Sequence, residues 1–167
     1  MNAIRRLALL AFAAILGLGS AAAAQTPAEP EPEPEHTRRN TTELFLGGIW
    51  EEGEDGEDGE NAFAVGVAHE YRLFRYVGVG VFAEYAADPL GTWSFGTPLF
   101  LHPWLGFRIQ LAPGLELDDG DAEFLFRAGL AYEFELSEHW RLLPELNADF
   151  VDGTTSVVYG VTLGYAW

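Results

Sequence analysis

Seven carboxylates fall within ten residues at Glu51-Glu52-Gly53-Glu54-Asp55-Gly56-Glu57-Asp58-Gly59-Glu60. Clustered oxygen ligands suit hard divalent cations. Glu51, Glu54, Asp55, Glu57 and Asp58 are therefore candidates for a weak cation loop, with a solvated acidic loop as the competing expectation. Their spacing is not the fixed ligand pattern of an EF-hand. A second set consists of single charges set into apolar segments: Glu70, Glu84, Arg108, Arg127, Glu133, Glu145 and Asp149. If these are buried they must be paired, because a buried charge stripped of its partner costs about 3–5 kcal/mol. Nucleophilic catalysis needs a nucleophile beside a base. Ser94 and Ser156 fall near one end of the segments that carry them, and His69, His102 and His139 near the other. Ser137 lies close to His139 but has no evident third member. No catalytic residue and no cofactor is expected.

Something must position those charges, and it begins after an amino-terminal address. Arg5 and Arg6 form a charged region, Leu7 to Leu18 a 12-residue apolar region, and Ser20 to Ala24 a run of small residues. That is a secretory signal peptide, cut near Ala24. Its apolar region is short of the ~20 residues that a spanning helix needs. Residues 25–41 form a Pro/Glu-rich linker, expected to be an extended spacer. Arg38 and Arg39 at its end are placed to sit beside lipid headgroups.

Composition narrows the choice further. The 167-residue chain carries a formal net charge of −17 and no cysteine, which excludes disulfide frameworks, zinc knuckles and thiol catalysis. With 9 basic residues against 26 acidic ones, no nucleic-acid partner is expected. Its 49% hydrophobic content is too high for a disordered acidic protein.

From residue 42 the period is two. In 157–167 one face carries Val157, Tyr159, Val161, Leu163, Tyr165 and Trp167, and the other Ser156, Val158, Gly160, Thr162, Gly164 and Ala166. Strict alternation marks a strand with two different environments. The same pattern recurs in 62–72, 76–86, 105–117, 123–134 and 140–150. Segments 42–50 and 93–101 are β-rich with ambiguous faces, and counting them gives eight strands in series.

A soluble barrel would put the large face inside and leave an outer surface of Gly, Ala and isolated charges. Reversing the faces explains the small residues, since an eight-stranded barrel has an interior only wide enough for side chains to fill. The large apolar face then meets lipid, and closure satisfies every backbone group. The interior charges become a hydrogen-bonded plug, with a narrow ion path as the alternative. Arg127 is expected to lie level with Glu145, and Arg108 to meet Glu70 or Glu133, with Glu84 and Asp149 toward the outer end. All five tryptophans fall at strand ends, with Trp50 and Trp93 at one rim and Trp104, Trp140 and Trp167 at the other. Such girdles belong to membrane barrels. Short turns are expected on the rim that carries both termini, and longer acidic loops on the opposite rim.

Over residues 42–167 the chain resembles the small eight-stranded outer-membrane β-barrels, the OmpA/OmpX-like group. Its ending, from Tyr159 to Trp167, is similar to the signal read by the barrel assembly machinery, with Tyr165 and Trp167 as its aromatic positions. Thr162 stands where such signals usually carry glycine. The resemblance implies an antiparallel up-and-down transmembrane barrel in the outer membrane of a Gram-negative bacterium. It would be monomeric and without an open pore, in contact with outer-membrane lipid and lipopolysaccharide, with a structural or surface-interaction role. The alternatives are a lipid A-modifying enzyme of the same membrane and a soluble lipocalin-like binding barrel.

Overall fold

The computed structural model describes residues 38–52, 59–104, 106–118 and 120–167. The expected leader, the Pro/Glu-rich stretch as far as residue 37 and the centre of the acidic loop lie outside them. The described chain is all β. Its strands are β1 (Asn40–Glu51), β2 (Glu60–Phe74), β3 (Val77–Ala86), β4 (Trp93–Gly96), β5 (Leu99–Leu101), β6 (Phe107–Asp118), β7 (Asp121–Tyr132), β8 (Phe134–Glu135), β9 (Trp140–Val151) and β10 (Thr154–Ala166).

Ten strands make eight staves. β4 and β5 are one stave, because both run antiparallel between β3 and β6. Thr97 and Pro98 interrupt it: proline has no N–H for the ladder. Its carbonyl still accepts from the Gly80 N–H at 2.9 Å, and the Thr97 N–H reaches the Pro113 carbonyl at 3.0 Å. β7 and β8 form a second broken stave, interrupted at Glu133. Every stave pairs with its sequence neighbour, and β10 closes on β1 from Thr41↔Ala166 to Glu51↔Ser156. Closure leaves no sheet edge.

The large apolar residues point outward. In β10, Tyr159, Val161, Leu163 and Tyr165 are exposed, whereas Ser156, Val158, Thr162, Gly164 and Ala166 are buried. The lipocalin-like alternative required the opposite assignment and is corrected by this arrangement. The ambiguous first strand resolves as well: Thr41, Glu43, Phe45 and Ile49 are buried while Leu44 and Leu46 are exposed. Small residues let the interior close. A Cβ added at Gly160 would lie 2.6 Å from the Phe45 ring and 2.5 Å from the Leu46 carbonyl. Gly160→Val should therefore force the Phe45 ring off its neighbours, and a lower unfolding midpoint in detergent checks this.

Aromatic residues gather at both rims. Tyr85 and Trp93 pack at 4.9 Å between ring centres at the far rim. At the rim bearing both barrel termini, Trp140 packs on Tyr165 at 4.9 Å and His139 stacks on it at 5.4 Å. The expected contrast in loop length is only half present. At the far rim Asp118 pairs with Asp121, and Val151 pairs with Thr154, so two of the connections there are two-residue turns. Asp152 and Gly153 have φ of 39° and 91°, the left-handed pair that a type I′ hairpin demands. Only 52–59 and 87–92 are longer at that rim, while the connections at the terminal rim run from two residues, at Arg75 and Tyr76, to 102–106 and 136–139.

Candidate functional site

Inward-facing positions on neighbouring staves put charged side chains at set depths in the barrel. Arg127 on β7 lies opposite Asp149 on β9. Its Nε donates to Asp149 Oδ1 at 2.7 Å and its Nη2 to Oδ2 at 2.7 Å, a two-pronged clamp. Nη2 also donates across the lumen to Glu84 Oε1 on β3, again at 2.7 Å. The guanidinium sits 4.5 Å from the centre of the Phe82 ring. All three charged groups are buried. Planar bidentate geometry of this kind is what arginine offers and lysine does not.

Arg108 organises a second layer. Its Nη1 is held by the Glu43 carboxylate, its Nη2 donates to Glu145 Oε2 at 3.3 Å, and Glu70 lies 3.9 Å away. Phe100 stacks against it, with 4.8 Å from the guanidinium carbon to the ring centre. A cavity of about 30 Å³ separates the layers, lined by Glu43, Glu84, Arg108, Gln110, Glu145 and Thr162. Toward the terminal rim, Glu70 accepts from His102 Nε2 at 2.8 Å and from Arg72 Nε at 3.3 Å. Glu133 pairs there with Arg141 at 2.5 Å and with Arg72 at 3.9 Å.

These contacts revise one expected pairing and decide between the two partners expected for Arg108. Arg127 does not meet Glu145, because the register sets Ala131, not Arg127, opposite Glu145. Glu145 therefore lies four residues nearer the terminal rim and joins Arg108. Of the two partners expected for Arg108, Glu70 is the one present, while Glu133 is held by Arg141 and Arg72. Glu43, Arg72, Arg141 and His102 are members of the network that sequence reasoning missed. Glu43 was legible in principle, since it shares parity with Phe45 on β1, but Gly47 and Gly48 mask the alternation there.

The remaining candidates separate. Glu51 accepts from the Ser156 hydroxyl at 3.1 Å, while Glu54, Asp55, Glu57 and Asp58 lie outside the described residues. Among the described residues, no group of three or more acidic or histidine side chains is arranged to hold a metal. Ser94 donates to Glu116 at 3.1 Å. His102 lies at the other end on Glu70, and His69 sits 3.3 Å from the Thr42 hydroxyl. Tyr165 and Trp167 are outward-facing and exposed, and the Trp167 N–H and carbonyl pair with Asn40.

An antiparallel sheet closed on itself, apolar outside and ion-paired inside, is the construction of a transmembrane β-barrel. Solved structures agree with it. Neisserial surface protein A matches with a TM-score of 0.58 at 9% identity, covering 77% of this chain and 97% of that one. Ail, the attachment invasion locus protein of Yersinia pestis, matches with 0.56 at 10% identity, covering 78% and 99%. The N-terminal β-barrel domain of Pseudomonas aeruginosa OprF gives 0.51 at 15% identity, covering 76% and 98%. No family model matches the chain, and no curated protein matches it in sequence. Its fold is that of the small eight-stranded outer-membrane barrels.

Proposed function

We propose that this chain is an integral outer-membrane protein without an open pore, with a structural or surface-interaction role in the bacterial envelope. The observation that carries this is the inverted distribution of side chains. Leu46, Phe63, Val67, Val81, Leu115, Tyr159 and others form an exposed apolar wall, while Arg108 and Arg127 are buried among carboxylates. Water on both sides would penalise that wall, and hydrocarbon would not. The two arginine layers, with Phe82 and Phe100 stacked against them, are buried in the lumen, which supports a closed interior, as expected for eight staves. The terminal rim would face the periplasm and the acidic loops the exterior.

Expression in a Gram-negative host tests the proposal. The protein should fractionate with the outer membrane, and an unheated sample should migrate differently from a boiled one on an SDS gel. A soluble protein with no heat-dependent shift would refute the proposal. In planar bilayers the wild type should give no steady open-pore conductance.

The proposed role is non-enzymatic. The Ser94 and Ser156 hydroxyls are both engaged by carboxylates, and a carboxylate hydrogen bond alone does not assemble a serine nucleophile with an imidazole base. Ser94→Ala and Ser156→Ala should leave the lipid A composition of the host unchanged by mass spectrometry. A lost modification in either variant would favour the lipid A-modifying alternative. The acidic exterior would approach lipopolysaccharide only through divalent cations. EDTA should therefore raise the mobility of a spin label at Asn61, next to the acidic segment, and an unchanged spectrum would remove the cation bridge.

A further inference from the structure

Charge does not balance around the cavity between the arginine layers. The layers bring two guanidiniums, Arg108 and Arg127, against four carboxylates, Glu43, Glu84, Glu145 and Asp149. Glu43, Glu84 and Glu145 line the cavity, and Arg108 is the cation among its described lining residues. Glu70, 3.9 Å from Arg108, is already hydrogen-bonded by Arg72 and His102. Uncompensated negative charge in a buried site is relieved by taking up a proton.

Hydrogen bonding shows which carboxylate is least compensated. Asp149 is clamped by two nitrogens of Arg127 at 2.7 Å, and Glu84 takes a further contact from Arg127 at 2.7 Å. Glu43 receives the close contact from Arg108 Nη1. Glu145 is left with longer contacts, 3.3 Å from Arg108 Nη2 and 3.4 Å from Asn147 Nδ2. Its side chain is nonetheless only 9% exposed. Ala131 and Gly160 stand opposite it on the two neighbouring staves, so neither ladder partner brings it a charge. An ionised Glu145 would therefore meet Glu43 and Glu84 around a space of about 30 Å³. A protonated carboxyl group is a donor instead, and its O–H can turn to either carboxylate, directly or through water.

A second observation does not depend on charge counting. The Nε–H of Arg108 is buried and has no hydrogen-bond partner among the described residues, although Arg108 is only 2% exposed and lines the same cavity. A buried donor left unsatisfied carries its full desolvation penalty, so an acceptor is wanted there. The cavity has room for about two water molecules. Its wall offers the Gln110 amide and the Thr162 hydroxyl, besides the carboxylates, as further partners for them.

We propose that the cavity is a buried proton-binding site, in which Glu145 is held as the neutral acid beside water that accepts from the Arg108 Nε–H. The inference rests on the closed lumen proposed above and adds a ligand to it, one proton with its water. The two observations together select that ligand. An inorganic anion would accept from Arg108 but would add to the excess negative charge. A metal cation would relieve the charge but cannot accept from an N–H. Water with a proton on Glu145 does both.

The test uses the protein reconstituted into lipid vesicles at neutral pH. Infrared spectra should show a carboxylic-acid C=O absorption that is lost in Glu145→Gln. The amide replaces a neutral acid with a neutral group of similar shape, so Glu145→Gln should keep its urea unfolding midpoint close to that of the wild type. Glu43→Gln removes an ionised partner of Arg108 and should lower the midpoint clearly. Solid-state NMR should show magnetisation passing from water to the Arg108 Nε–H. An acid absorption that is the same in the wild type and in Glu145→Gln overturns the proposal. So does a Glu145→Gln variant as destabilised as Glu43→Gln, or one that no longer gives the heat-dependent gel shift. An Arg108 Nε–H that receives nothing from water overturns it as well. Steady open-pore conductance in the wild type would instead overturn the closed lumen, and this site with it.

Discussion

Replacing Arg127 by alanine should destabilise the folded barrel by about 3–5 kcal/mol, the usual cost of stripping one partner from a buried ionic group. Glu84 and Asp149 would be left facing each other without the guanidinium that now holds both at 2.7 Å. No water-facing rotamer rescues them, because they are buried at mid-lumen. The measurement is urea unfolding in lipid vesicles, followed by tryptophan fluorescence. A second consequence is electrical. Removing Arg127 also removes the group that stacks on Phe82 and fills the lumen. Planar bilayers should therefore register openings in the variant that the wild type lacks.

A triple substitution separates the cost of an unpaired charge from the worth of the ion pair itself. Arg127→Met with Glu84→Leu and Asp149→Leu removes every charge of that layer and keeps comparable volume. Buried ion-pair sets exchanged for apolar residues are often neutral or stabilising. The triple variant should therefore recover most of the stability lost by Arg127→Ala and should stay closed to ions. Wild-type stability and conductance in Arg127→Ala would show that the layer is no plug. A triple variant as unstable as the single one would assign the stabilisation to the pair's own geometry.

What could be read beforehand, and what could not, follows from how a barrel is built. Alternation is a local property, so β10 declared its faces in the amino-acid order. Tyr159, Val161 and Leu163 could be placed outside once the small partners Gly160, Thr162 and Gly164 were seen. Pairing depth is not local. Arg127 and Glu145 are each six residues from the far end of their own strand, which made them look level. Neighbouring staves of a barrel are staggered, however, and β7 projects past β9: its fifth residue, Leu125, is the one that meets Val151. That stagger moves Glu145 down to Arg108 and brings Asp149 up to Arg127. The far-rim turns show the opposite case. The Asp-Gly pairs at 119–120 and 152–153 are hairpin signals in themselves, and counting them as longer loops overlooked turn chemistry that the residues spell out.

Leu46→Arg should cost about 2–4 kcal/mol in a bilayer, because an arginine on the lipid face near the membrane midplane carries that penalty. Leu46 is well placed for the measurement. It lies midway along β1, pairs with Val65 on one side and Val161 on the other, and is 49% exposed. The substitution therefore buries nothing and creates no clash. In a water-soluble barrel an exposed Leu→Arg change at this position would be close to neutral, since surface substitutions usually stay within about 0.5 kcal/mol. The sign and size of the effect thus report the solvent around the wall. Thr42→Arg supplies the depth control. It is also exposed and on the same face of β1, but two residues from the strand's start at the terminal rim, where the guanidinium reaches the headgroups. There the cost should fall to about 0–1 kcal/mol. Urea titration of both variants in the same vesicles checks the difference. A steep penalty at Leu46 with little at Thr42 requires hydrocarbon around the middle of the barrel and polar surroundings at its end. Equal, small effects at both positions would mean that water surrounds the wall, and the charged lumen would then need a different account.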